Sequence, residues 1–188
     1  RTPMSGALGL VDLLLETPLD ERQRRMAIAM REAGDALLRV VNAVLDLSRA
    51  DSGRIEAKTN EFDLREIVGS TVALMAPAAH DKGLELVIDI APAVPEQVVG
   101  DPDLLAQILT NLCANAVKFT DTGHVLINVA PDQDDPLGEA VRFDVVDTGI
   151  GIADADATWV FEPFTQADRS SSRSHDGTGL GLSITKAI

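Results

Sequence analysis

Three short stretches in the second half of the chain carry residue types that chemistry uses. In the first, Asn111-Leu-Cys-Ala-Asn115-Ala-Val-Lys118, the residues Asn111, Asn115 and Lys118 stand at i, i+4 and i+7 and so share one side of a helix. Asparagine is a poor residue inside a helix because its amide competes for backbone hydrogen bonds. Two of them a turn apart point to a ligand; the plain alternative is a solvated face, which ordinarily prefers Glu, Lys and Gln. In the second stretch, Asp147-Thr-Gly149-Ile-Gly151, a carboxylate ends an apolar run and two glycines follow it. Backbone without side chains can approach a ligand closely, and the carboxylate can accept from the amino group of a base. Here the plain alternative is an Asp-Gly turn. The third stretch, Gly177-Thr178-Gly179-Leu180-Gly181, opens the helix-compatible Leu-Ser-Ile-Thr-Lys-Ala-Ile. Glycines at a helix start can cradle phosphate with backbone N–H groups and the helix dipole. Alone that signal is weak, since neither the Gly-Lys-Ser/Thr of a Walker loop nor Rossmann spacing is present.

These residues need elements to hold them. Asp101-Pro102 reads as a helix cap with Pro in the first turn, and the helix runs to about Phe119, apolar at Leu105, Ile108, Leu109, Leu112 and Ala116. Cys113 falls on that apolar side and is expected in the core. Asp63 with Glu66 resembles a capping box opening a helix to about His80. Alternating apolar residues then predict three strands: Leu84, Leu86, Ile88 and Ile90; Val125, Ile127 and Val129; and Val141, Phe143 and Val145.

The first half is helical. Met4, Leu8, Val11 and Leu15 form one stripe, ended by Thr17-Pro18. Met26, Met30, Ala33, Leu37, Val40, Val44 and Leu47 then keep a four-three spacing like a coiled-coil seam, with Leu38, Val41 and Leu45 beside it. A helix apolar on two stripes needs more neighbours than its own hairpin partner supplies. A dimeric four-helix bundle would cover both; the alternative is a monomeric hairpin resting on the following domain. The expected organisation is therefore α+β: a helical hairpin over 1–53, a polar linker over 54–61 and an α/β domain over 62–188.

The 188 residues suffice for one domain or two small ones. With 45% apolar and 24% charged residues, disordered and collagen-like classes are excluded. A net charge of −14 repels nucleic acid and anionic lipid, so neither is an expected partner and no direct membrane contact is expected from this segment. Cys113 is the single cysteine, which rules out an internal disulfide and suits a reducing, cytoplasmic setting. No signal peptide is recognisable in the opening Arg-Thr-Pro-Met, and no apolar run nears the roughly 18 residues of a membrane span. A chain opening on Arg1 reads as part of a longer protein, whose membrane anchor, if it has one, would lie outside these residues.

Taken in order, the motifs resemble the Bergerat-type ATP-binding domain of sensor histidine kinases, which shares its fold with the gyrase and MutL ATPases. The stretch from Asn111 to Thr120 is similar to that family's N box. Asp147 to Gly151 resembles its first glycine box, Phe161-Glu-Pro-Phe164 its F box, and Gly177 to Gly181 its second glycine box. Arg1-Thr2-Pro3-Met4 resembles the tail of the phosphoacceptor box His-Glu-x-Arg-Thr-Pro, and the wordings FEPFTQAD and RTPM resemble hybrid kinases. The hairpin ahead of the ATP-binding motifs separates this pattern from the gyrase-type ATPases. Those would need a catalytic carboxylate early in the polar helix, where Asp103 and Gln107 are the nearest polar residues.

The resemblance implies histidine kinase activity in a two-component phosphorelay, with ATP and Mg²⁺ as cofactors. Asn115 would coordinate Mg²⁺, with Asn111 and Lys118 lining the same pocket. Asp147 would accept from the adenine amine, with Gly149 and Gly151 allowing the tight path beside it. Phe164 and Gly177, Thr178, Gly179, Leu180 and Gly181 would complete the nucleotide site, and the segment from Phe161 to Asp176 would be its lid. The implied partners are a second copy through the hairpin and a response-regulator receiver domain. Thr2, four places after the box histidine, would orient water for dephosphorylating that receiver, or else be plain helix surface. The pattern departs from the family twice. The acceptor histidine has no counterpart within the chain, since His80, His124 and His175 all lie outside the hairpin. The ATP-binding domain also stops at Ile188, where the family continues into two more strands. A non-catalytic, kinase-like dimerisation module is the competing expectation; the intact Asn115, Asp147 and glycine boxes argue against it.

Overall fold

The computed structural model describes residues 2–51, 57–153, 156–165 and 179–188. Two helices come first, α1 (Thr2–Leu15) and α2 (Glu21–Asp51). The turn between them is closed by a reciprocal cap in which Asp20 Oδ1 accepts from Gln23 N at 2.8 Å and Gln23 Oε1 from Asp20 N at 3.0 Å. Within the hairpin Val11 and Ala27 are buried, and the Leu8 side chain lies over Gly34. The seam residues Met26, Met30, Leu37 and Val44 are instead exposed, together with Leu10, Leu13 and Leu14 of α1.

The rest is β1 (Asn60–Asp63), α3 (Leu64–Lys82), β2 (Glu85–Ile90), β3 (Gln97–Gly100), α4 (Pro102–Phe119), β4 (His124–Pro131), β5 (Val141–Asp147) and α5 (Gly181–Ala187). The mixed sheet runs β2-β4-β5, with β2 parallel and β5 antiparallel to β4. Val125, Ile127 and Val129 of β4 point into the core that α3 and α4 cover with Leu64, Val68, Leu109, Cys113, Ala116 and Val117. The three expected strands are present. Two more, β1 and β3, pair antiparallel with Glu61 opposite Val99 and Phe62 opposite Val98. At four residues each they are too short to show a period-two pattern, and β1 begins inside the stretch read as a linker.

Both predicted N-cap aspartates cap their helices, Asp63 through its own carboxylate alone rather than as a reciprocal box with Glu66. Asp63 Oδ1 accepts from Arg65 N at 2.8 Å and Glu66 N at 3.2 Å, and Asp101 opens α4 in the same manner. Gly83 ends α3 with φ +68°. Its N–H bonds His80 O and the N–H of Leu84 bonds Ala79 O, each at 2.9 Å, a Schellman arrangement that buries Leu84.

Candidate functional site

Helix α4 is the beam on which the site is built, and both its ends are tied down. At the start, Asp101 Oδ1 accepts from Asp103 N at 3.0 Å and Leu104 N at 3.1 Å, while Oδ2 accepts from Lys58 N at 2.8 Å. The Lys58 amide, then the Leu104 amide, hold this carboxyl below the usual carboxylate range. At the far end, Lys82 Nζ donates to the carbonyls of Val117 at 2.9 Å, Lys118 at 2.8 Å and Thr120 at 3.1 Å. Thr120 adds a bond from its hydroxyl to Ala116 O at 2.7 Å. Under the helix, burial pushes the Cys113 thiol up to about 11.

The other face carries Asn111, Asn115 and Lys118, all half-buried, as the i, i+4, i+7 spacing requires. Asn111 Nδ2 approaches Gly181 O at 3.4 Å, which brings the start of α5 beside the first asparagine. The Lys118 ammonium lies 4.7 Å from the centre of the Phe119 ring.

Asp147 closes β5 at the foot of this face. Its Oδ1 accepts from Gly149 N at 2.9 Å, and Ile150 N donates to Phe119 O at 3.3 Å, so the glycine loop lands on the last turn of α4. Any Cβ at Gly149 would overlap the Phe119 carbonyl, so only glycine permits that landing. Thr148 Oγ1 accepts from His124 N at 3.0 Å and fixes the loop to β4. Gly151 follows with φ +67°. A cavity of about 170 Å³ opens here, lined by Phe119, Asp121, Thr122, Thr148, Gly149 and Ile150.

Of the second glycine stretch, Gly177 and Thr178 lie outside the described residues, as does 166–176 of the expected lid. Gly179 has φ +67°, and a Cβ on it would meet Phe164 C at 2.9 Å and Thr165 O at 2.8 Å. Phe164 N donates to Gly179 O at 3.0 Å from a left-handed backbone of φ +62°, unusual for a bulky residue. Leu180 is fully buried. The F-box end and the glycine stretch, separate in sequence, therefore form one clasp next to α4. Thr2 is the first residue of α1, in the hairpin.

Sequence reasoning missed three parts of this assembly: the Phe119 carbonyl as landing point, the Phe164–Gly179 clasp and Lys82. All three depend on backbone groups meeting across long sequence separations. For Lys82 the sequence offers only Lys82-Gly83, which marks a helix end and says nothing of what the ammonium reaches.

Comparison with known proteins gives two family matches: residues 1–53 match the His Kinase A (phospho-acceptor) domain, and residues 100–188 the Histidine kinase-, DNA gyrase B-, and HSP90-like ATPase. Over its full length the chain is 41% identical to the signal transduction histidine-protein kinase BarA of Escherichia coli K12, covering 20% of that protein. It is 40% identical to the autoinducer 2 sensor kinase/phosphatase LuxQ of Vibrio cholerae, covering 22%. The chain thus spans about a fifth of the length of the curated relatives it matches. Among solved structures, full-length ShkA in complex with AMPPNP superposes on the whole chain with a TM-score of 0.83 at 38% identity, the match covering 38% of ShkA. The Acinetobacter baumannii histidine kinase AdeS shares the fold at 22% identity and TM-score 0.66, over 99% of this chain and 81% of AdeS. Among the described residues no helix is long and apolar enough to cross a membrane.

Proposed function

We propose, because this chain belongs to the sensor histidine kinase family, that it is the dimerisation and ATP-binding core of such a kinase, working in a cytoplasmic two-component phosphorelay of the hybrid type. The observation that carries the reading is the convergence on α4 of three separate motifs: the Asn111/Asn115/Lys118 face, the Asp147 loop landing on Phe119, and the Gly179–Gly181 stretch beside Asn111.

The residues suit the group they would hold. Asn115 and Asn111 offer amide oxygens, hard donors of the kind Mg²⁺ takes. Bare backbone at Gly179 and Gly181, leading into α5, suits phosphate oxygens. Asn115 would carry the Mg²⁺, and Asn111 and Lys118 would line the triphosphate. Asp147, one oxygen of which already orients Gly149, would accept from the adenine amine through the other. Lys118 and the metal would offset the triphosphate charge that a chain of net −14 otherwise repels. Bound MgATP supplies the phosphoryl group, which passes to a histidine nitrogen with ADP leaving, and from there to an aspartate carboxylate of a receiver domain. Residues 1–53 contain no histidine, and the box that Arg1-Thr2-Pro3 resembles places the acceptor ahead of Arg1. Thr2 would then orient the water that hydrolyses the receiver's aspartyl phosphate, releasing inorganic phosphate. The exposed stripes Leu10, Leu13, Leu14, Met26, Met30 and Leu37 would meet a second copy in a four-helix bundle.

The test adds His-Glu-Leu in front of Arg1 and supplies MgATP labelled at the γ position. Acid-labile, base-stable label on the extended chain, absent from its Asn115→Ala variant, is the expected result. A folded, dimeric extended chain that binds ATP yet never acquires label would contradict the kinase reading and favour the non-catalytic module.

A further inference from the structure

We infer that Lys82 is a positioning residue for the nucleotide site: its ammonium holds the last turn of α4 in the conformation on which the Asp147 glycine loop lands. The inference rests on the reading of α4 as the nucleotide-binding helix.

Three facts meet at this point. The ammonium has three N–H donors, and three carbonyls accept them, those of Val117, Lys118 and Thr120 at 2.8–3.1 Å. These are carbonyls of the final turn and the residue after it, where a helix leaves acceptors without intrahelical partners and where its dipole favours a cation. The same turn carries site chemistry on its other side, with Lys118 contributing its side chain to the polar face and Phe119 O accepting from Ile150 N. No substituent fits between Gly149 and that carbonyl, so a small rotation of the turn moves the glycine loop, and Asp147 with it.

Lys82 is itself held in place. It is the last residue of α3, immediately before Gly83, whose left-handed backbone and the Leu84 N–H closing back on Ala79 O fix where the helix stops. Leu84 is buried and anchors that stop to the core. One helix end, fixed by its own glycine, thus sets the conformation of another. Asp101 and Lys58 do the corresponding work at the opposite end of α4. A charge placed only for solubility would not have every donor directed at helix carbonyls.

The experiment compares Lys82→Met, Lys82→Gln, Val68→Ala and Asn115→Ala in the same chain. Calorimetry reads MgATP affinity, amide hydrogen exchange reads the Thr120 and Ile150 N–H groups, and thermal melting reads stability. Val68 is buried in the core on α3 and its side chain has no hydrogen-bonding group, so its variant removes packing without removing a donor and supplies a general loss of stability for comparison. The expected result is MgATP affinity about tenfold weaker in Lys82→Met, with faster exchange at Thr120 and Ile150. Lys82→Gln, which keeps two donors, should fall between, and Val68→Ala should melt lower yet bind like the parent. Lys82→Met binding as tightly as the parent, or Val68→Ala losing as much affinity for the same fall in melting temperature, would overturn the proposal. If Lys82→Met does not fold, Lys82→Gln decides on the same two readouts. A parent chain blind to ATP, or an Asn115→Ala variant that binds like it, would instead sink the reading of the site. Amide exchange would then report separately whether Lys82 holds the turn.

Discussion

Helix α4 and the hairpin α1–α2 are both amphipathic, yet they spend their polar and apolar groups in opposite ways. Helix α4 is fixed at both ends and from below: the Lys58 N–H donates to the capping Asp101 carboxylate at its start, Lys82 donates to three carbonyls at its end, and its own Leu109, Cys113, Ala116 and Val117 are buried in the core. The hairpin leaves Leu10 at 69% exposure, Leu13 at 61% and Met30 at 59%. A surface this apolar calls for a partner. On the proposed reading, the contrast separates a site prepared in advance, where backbone positions are fixed before ligand arrives, from a surface that a second copy would complete.

Substituting glycines sharpens the contrast most. At Gly149 a Cβ would strike the Phe119 carbonyl, which is backbone and cannot give way, so Gly149→Ala should displace the loop and weaken MgATP on the order of 100-fold while the chain still folds. At Gly34 the obstacle is the end of the flexible Leu8 side chain. Gly34→Ala should leave MgATP affinity unchanged. Equal effects from the two would mean that α4 and its loop are no more fixed than the hairpin.

Charging the hairpin stripe tests the other side. Sedimentation should show a dimeric parent and a monomeric Leu13→Asp, Met30→Asp double variant, with MgATP affinity unaltered. A loss of affinity with monomerisation would show that the nucleotide site needs the partner. Cys113 provides a smaller, chemical reading. With its thiol pushed up to about 11 by burial, it should ignore a disulfide reagent at pH 8 and react on adding denaturant. Reaction at the native rate of an exposed thiol would show that the underside of α4 opens readily.

The smallest effect concerns Asp101. Because its folded pKa is lowered below that of the unfolded chain, its ionised form stabilises the fold above about pH 4, and that contribution disappears as pH falls through the folded value. Asp101→Asn should therefore melt slightly lower than the parent at pH 7, the two converging in acid. A difference that grows toward acid would contradict the capping role.

Much of this is legible in the sequence. Helical spacing, the caps at Asp63 and Asp101, the three longer strands and the order of the polar motifs are local patterns, and they appear where the residues place them. β1 and β3 escaped because four residues carry no readable period and their pairing is long-range. The site's supporting contacts escaped for a related reason. Lys82 to the end of α4, Gly149 to Phe119 and Gly179 to Phe164 are meetings of backbone with distant groups, and residue types alone do not encode them. The hairpin stripe was legible as apolar, while which part of it faces α1 and which faces outward required the packing of Val11 and Ala27.

On the proposed reading, α4, the Asp147 loop and the second glycine stretch form one nucleotide pocket. Calorimetric titration of the chain with ATP, with and without Mg²⁺, alongside Asn115→Ala and Asp147→Asn, tests it most directly. Saturable binding that depends on Mg²⁺ and is lost in both variants is the expected result. A folded chain that binds no ATP, or binds it equally well without either side chain, would contradict it.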